Sequence, residues 1–454
     1  MPTFLAVLAG AALFLWPALV NGYPLLFSDT GGLLAMALEP SMGWDKPWVY
    51  GPFLFLLHGR TTLWLAAAGQ AALLSHVLWL AAKAVRPWTP LRHVALCAAL
   101  ALLTAAPWFA SLLMPDVFAP MVVLCVFALA WPERLSGAER GWLAAVGTIA
   151  VAVHLAHLIL AAACVALAFV APRRAMSWRA ALPLTLPLTL PLWAALALLV
   201  LSNAVGNGVL GVSPYGSVFM LARLVADGPG REVVDARCPA AGWHLCGWKG
   251  RLSGDSDAFL WAPEGPVWDH DRYGPILFAP EAGRIVRETV ATHPLAVARA
   301  MVLNTARQLP LVDLGDTLGP DYLDLTVLPR LRAYFPAAEV ARYRASLQAQ
   351  GRLRAVAAPL VWPQRAALAL GLVGTLVVLG RWRREPRLAA LALLVLGGLL
   401  ANALSTGALS GPHDRYQARI AWLLLVPPLL MLPAGQPRRA AGAPAPRSRG
   451  AGAP

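Results

Sequence analysis

Of 454 residues, 58% are hydrophobic and only 13% are charged, whereas soluble globular chains carry about 25% charged residues. This composition excludes an ordinary soluble enzyme and indicates a polytopic integral membrane protein. The net charge of +14 sits between apolar runs, as cytoplasmic membrane loops require, and no basic–aromatic motif accompanies it, so nucleic acid is excluded as a partner.

Ten apolar segments approach the length a bilayer demands and are predicted as membrane helices: 3–21, 61–82, 93–113, 116–132, 141–156, 157–171, 180–202, 357–379, 388–408 and 418–434. The first lacks a positive n-region and exceeds the usual 7–15 apolar residues of a signal peptide, so it is read as a retained helix. Segment 180–202 carries Pro183, Pro187 and Pro191 four residues apart, which predicts a helix kinked along one face. The expected fold is an all-α polytopic membrane protein of about ten transmembrane helices with an α-rich extracytoplasmic domain. Its modules are residues 1–202, 203–356 and 357–435, followed by a Pro/Ala/Gly/Arg-rich tail, 436–454, expected to be a disordered cytoplasmic segment.

Orientation follows from Lys and Arg. With the N-terminus inside, sixteen basic residues fall on inside segments, among them Lys83, Arg134, Arg173, Arg381 and Arg438. Only four fall on short outside segments: Lys46, Arg60, Arg415 and Arg419. Both termini are then cytoplasmic, and the long polar region 203–355 lies outside. That region is predicted to hold helices at 281–292, 295–309 and 336–350, with Pro294 separating the first two. Trp243, Trp248, Trp261 and Trp268 precede them, as a small core or as interfacial residues. Cys238 and Cys246, in CPAAGWHLC, are spaced for a disulfide if this loop is extracytoplasmic. A zinc site is the lesser alternative, since only His244 is near. Cys97, Cys125 and Cys164 lie in apolar runs as small hydrophobes.

This topology gathers polar residues on the outer face. Asp29 stands in YPLLFSDTGG; Asp45, Lys46 and Tyr50 in WDKPWVY; Asp116 in LLMPDVF; His154 and His157 in VHLAHL; His413, Asp414, Arg415 and Arg419 in SGPHDRYQAR. Each has a plain structural reading. Asp29 caps a helix starting near Gly31, its glycines allowing a tight turn; Asp116 opens a helix; the histidines pack as a pair; Arg415 anchors at the interface. Together they carry more weight, because charge at membrane depth is costly and usually functional.

FSDTGG after the first span, DKPWVY later in the same loop, MPDVF in the next outer loop and HDRYQAR before the last span resemble the motifs of the GT-C superfamily of membrane glycosyltransferases. The resemblance extends to the architecture of the whole chain. It implies an inverting transferase that moves a sugar from a polyprenyl-phosphate-linked donor to a glycan, lipid or protein acceptor on the extracytoplasmic face. It implies Asp29 as general base, Asp116 as the acid that orients the acceptor, and Arg415 with His154 or His157 as the phosphate clamp. Asp45, Lys46, Tyr50, His413 and Asp414 would line the substrate site. The chain departs from the family in having no second acid beside Asp29, so that role falls to Asp116 or Asp45. No cofactor is implied with certainty, and a divalent metal ion is left open.

Two other classes compete. A transporter or flippase of a lipid-linked or anionic solute places polar residues near the bilayer midplane, in related repeats; here the span interiors are nearly free of ionisable residues. A non-catalytic envelope-assembly subunit would use 203–355 as its binding module. The sequence has no G-x-S-x-G, H-E-x-x-H or P-loop motif. Richness in Ala, Pro and Arg points to a bacterial inner membrane, with membrane lipids as surroundings and the periplasm outside.

Overall fold

A computed structural model describes residues 1–171, 178–268 and 274–432. The expected tail 436–454 and the basic residues Arg173 and Arg174 lie outside the described residues. Among the described residues all longer elements are helical, and the β-contact present is the bridge between Leu25 and Leu112.

The chain opens with α1 (Thr3–Phe14), α2 (Trp16–Asn21), α3 (Ser28–Leu38), α4 (Tyr50–His58), α5 (Leu63–Val85), α6 (Pro90–Leu103) and α7 (Ala106–Ser111). A 3-10 turn, Pro115–Val117, leads into α8 (Phe118–Ala130), then α9 (Gly137–Ala152), α10 (Ala156–Val170) and α11 (Trp178–Asn207). The region 203–355, expected to lie outside and called the outer region below, holds α12 (Gly216–Asp227), α13 (Pro229–Arg237), α14 (Ser256–Trp261), α15 (Pro275–Thr292) and α16 (Pro294–Gln308). It continues with α17 (Leu323–Thr326), α18 (Leu328–Tyr334), α19 (Ala337–Ala345) and α20 (Leu353–Ala357). The chain closes with α21 (Val361–Gly380), α22 (Pro386–Gly407), α23 (Asp414–Ala421) and α24 (Val426–Met431).

Among the described residues, four helices are long and apolar enough to cross a membrane: Leu63–Val85, Thr185–Asn207, Leu353–Gly380 and Pro386–Gly407. Four of the ten expected spans are such helices, and three of the others are interrupted. Segment 3–21 breaks at Leu15, 93–113 breaks at Thr104 and Ala105, and 418–434 is divided by the 3-10 turn Trp422–Leu425. A proline sits in the first two positions of each following helix, Pro17, Pro107 and Pro427. Its missing N–H and its clash with the preceding turn stop the upstream helix. By contrast α11 runs unbroken through its prolines.

The residues expected to form one outer domain divide between two cores. Tyr215, Val218, Leu221, Phe259, Phe278 and Ile285 anchor a small core of their own, joined by Trp44 from the first outer loop. Leu318, Leu323, Leu331, Tyr343 and Leu353 instead belong to the large core shared with the long apolar helices. The reason lies in their partners. Tyr23 Oη donates to Glu339 Oε2 at 2.8 Å, and the Leu63 N–H reaches the same oxygen at 3.2 Å. Cys238 and Cys246 are disulfide-bonded within the small core, with Cα atoms 5.3 Å apart. Cys97, Cys125 and Cys164 are free and buried.

A few contacts position the first outer loop. The chain leaves α2 through Gly22 at φ +80°, a left-handed turn natural to glycine. Residues 25 and 112 then pair: the Leu25 N–H donates to Ser111 O and the Leu113 N–H to Leu25 O, both at 2.9 Å. Gln348 seals the other side, its Nε2 donating to Leu26 O at 2.7 Å while its Oε1 accepts from the Leu26 N–H at 3.0 Å. The turn expected of the glycines after Asp29 is corrected: Gly31 lies inside α3, and a Cβ there would stand 2.1 Å from Thr326 O. Gly31 is required by close approach, and the turn comes earlier, at Gly22.

Candidate functional site

Asp29 sits in the first turn of α3, where the helix dipole favours a carboxylate. It is not the cap. The helix starts at Ser28, and Thr30 Oγ1 accepts from the Phe27 N–H at 2.9 Å. The Thr30 hydroxyl donates to Leu113 O at 3.1 Å, tying this turn to the segment that leads into Asp116. The Asp29 carboxylate is therefore free to face Lys46, whose Nζ is 3.3 Å away. Lys46 also pairs with Asp45. Trp44, stacked on Phe219 with ring centroids 5.1 Å apart, roots this loop in the small core. Burial opposes ionisation of Asp29, yet the charges of Lys46 and then Arg415 hold its carboxyl below the ordinary carboxylate range.

Asp116 is buried in the 3-10 turn ahead of α8, with only 2% of its surface exposed. Two arginines one turn apart on α23 converge on it: Arg419 Nη1 at 3.4 Å and Arg415 Nε at 3.8 Å. Asn402 of α22 accepts from Arg419 Nη2 at 3.0 Å and donates to Tyr416 O at 2.7 Å, fixing α23 in place. The Arg415 guanidinium lies 4.1 Å from the centroid of Phe27, two residues before Asp29, a cation–π contact that links both acids. Arg415 Nη1 and Arg419 Nε are buried without a hydrogen-bond partner among the described residues. Two unspent donors beside a carboxylate are unusual for a structural cluster and suited to an anionic ligand.

His154 and His157 stack with ring centroids 5.1 Å apart at the turn between α9 and α10. His154 Nδ1 accepts from the Ala156 N–H at 3.2 Å, so in the neutral ring Nε2 carries the proton. His157 Nδ1 lies 2.7 Å from Ala150 O and must donate to it. Its Nε2 is then a bare acceptor and cannot clamp a phosphate as a neutral ring, which corrects its expected role.

Three other expected ligand residues are otherwise engaged. Tyr50 is fully buried; its hydroxyl donates to Gln70 Oε1 at 3.0 Å, and Gln70 in turn donates to Ala110 O and Leu112 O. It braces the second loop. His413 and Asp414 join the last outer loop to the outer region: Gln308 donates to His413 O at 2.7 Å, and Asp414 Oδ1 accepts from the Asp313 N–H at 3.3 Å. His413 Nε2 is 3.6 Å from Asp257. These contacts hold α23 rather than reach toward Asp29.

Sequence reasoning gave Arg419 no role. The available signal was its i, i+4 spacing from Arg415 at the start of an apolar run, which puts both guanidiniums on one helical face. Among the described residues no three His, Cys, Asp or Glu side chains gather as a metal-ion set. Compared with known proteins, the chain is matched significantly by no family model, no curated protein and no solved structure.

Proposed function

We propose that this chain is a membrane glycosyltransferase that moves a sugar from a polyprenyl-phosphate-linked donor to an acceptor hydroxyl on the extracytoplasmic face of a bacterial inner membrane. The observation that carries the reading is the juxtaposition of an ionised acid, Asp29, with a buried arginine, Arg415, that is within its electrostatic reach and keeps an unspent donor. In the reaction Asp29 takes the proton of the acceptor hydroxyl. The acceptor oxygen forms its bond to the anomeric carbon as the bond from that carbon to the phosphate oxygen breaks. The electron pair leaves on the phosphate, whose charge meets Arg415 Nη1 and Arg419 Nε. Attack opposite the leaving group inverts the anomeric centre. Asp116 acts as a positioning residue that holds the two guanidiniums. Lys46 keeps Asp29 ionised between turnovers. The half-buried His154 supplies an Nε2–H to a substrate oxygen.

In this reading the broken pairs α1–α2, α6–α7 and α23–α24 and the shorter helices α8, α9 and α10 complete ten crossings with the four long helices, and both termini are cytoplasmic. The test is reconstitution of the full chain in liposomes with a panel of synthetic polyprenyl-phosphate sugars, each offered with glycan, lipid and peptide acceptors, following free polyprenyl phosphate by phosphorus NMR. Wild type releases it with at least one donor, and Asp29→Asn does not. Release at an unchanged rate by Asp29→Asn, or from no donor by wild type, overturns the proposal. Movement of the intact lipid across the bilayer without release would instead mark a flippase.

A further inference from the structure

Helix α16 has the polarity of a soluble helix turned inside out. It buries Asn304, Thr305 and Gln308 and exposes Leu295 (84%), Val302 (67%), Leu303 (43%) and, just past its end, Leu309 (40%). The buried side is committed. Asn304 Nδ2 donates to both oxygens of Asp227 at 3.0 and 2.9 Å, and Gln308 holds the His413 backbone. Rotation of the helix to hide its leucines would break these bonds. A helix in water turns its apolar stripe toward the protein; this one turns it outward.

We infer that α16 is seated in the lipid bilayer at its interface, with its outward stripe in the acyl region, although the chain around it is the polar outer region. Three observations select lipid as the occupant. First, α16 packs directly on the candidate span α22: a Cβ at Gly407 would stand 2.7 Å from Asn304 O. Second, the end of α22 on which α16 packs also exposes apolar side chains, Leu400 (54%) and Leu404 (40%). Third, the exposed cations share this outward face, Arg299 one turn from Leu295, Val302 and Leu303 and Arg307 at the edge beside Leu303, and the helix PLAVARAMVLNTARQ contains no acid. That is the make-up of an interfacial helix whose arginines rise to lipid phosphates. Because Gln308 grips the loop ahead of Arg415, the depth of α16 is coupled to that of the arginine pair. This inference is independent of the transferase reading.

The test uses the full chain in phosphatidylcholine–phosphatidylglycerol liposomes, spin-labelled at Leu295→Cys or Val302→Cys. Glu264→Cys, at an exposed acid of the small outer core, is the aqueous reference, and unsubstituted protein gives the background from the buried native thiols. At 295 and 302 the ratio of oxygen to nickel-chelate collision rates should exceed one. At 264 it should fall below one. A ratio below one at 302 places the stripe in water, and low collision rates with both reagents place it under another protein; either result overturns the inference. Exposed positions are chosen so that the substitutions leave folding intact.

Discussion

Substitution Asp116→Asn preserves shape and removes one charge from a buried cluster. Arg419 lies 3.4 Å and Arg415 3.8 Å from the Asp116 carboxylate. At an effective dielectric of about 20, those separations correspond to about 5 and about 4 kcal/mol of gross attraction. The cost of taking three charges out of water offsets much of this sum in the intact cluster. Removing one partner forfeits the attraction and leaves the other charges buried, a loss of about 3–5 kcal/mol. Wild type and variant should be unfolded in mixed micelles by increasing detergent denaturant, with tryptophan fluorescence and circular dichroism as readouts. Asp116→Asn should lower stability by that amount. Combined with Arg419→Gln it should lose less than the sum of the single variants, with a coupling of about 0.5–3 kcal/mol. A single variant within about 1 kcal/mol of wild type would refute the reasoning, since Asp116 would then not be neutralising the arginines.

Asp29→Asn should leave stability nearly unchanged, because the exposed part of its pair with Lys46 is worth about 0–1 kcal/mol. It should nonetheless cut turnover by at least about 10²–10⁴-fold, the contribution of a positioned base, measured as phosphate release. Lys46→Met should move the acid limb of the activity profile to higher pH. The wild-type carboxyl is held below its usual range, so its ionised form persists until pH falls through that depressed value; without Lys46, burial raises it and activity is lost earlier on acidification. Gly31→Ala should destabilise the protein by about 1–3 kcal/mol through overpacking against Thr326, seen in the same unfolding titration. Cys238→Ser with Cys246→Ser should cost the small core about 2.5 kcal/mol, the loop-closure value for a separation of 8 residues, and should abolish the sensitivity of its melting to reductant.

The long apolar helices were legible because hydropathy is a sum over local residues, and α5 and α22 stand where their apolar runs do. The helices at Pro275–Thr292 and Pro294–Gln308 were legible for the same reason, Pro294 marking the start of the second. The broken helices were not read out, although Pro17, Pro107 and Pro427 were in view: α11 tolerates prolines and α1 does not continue through one, a difference no local rule separates. Tyr50 was misread as a ligand because its partner, Gln70, lies on another helix.

By itself, the sequence determined the apolar composition, the basic segments between apolar runs, the spacing of Cys238 and Cys246, and which charged residues stand near the ends of those runs. Each of these is set within a few residues along the chain. Only the tertiary structure decided that Asp116 is held by Arg419, 303 positions away, that Trp44 belongs to the core of the outer region, and that α16 exposes its leucines. Helix formation uses hydrogen bonds four residues apart and is written locally. Which face a helix buries, and which charges meet, depends on the close packing of segments whose order in space the local pattern does not encode.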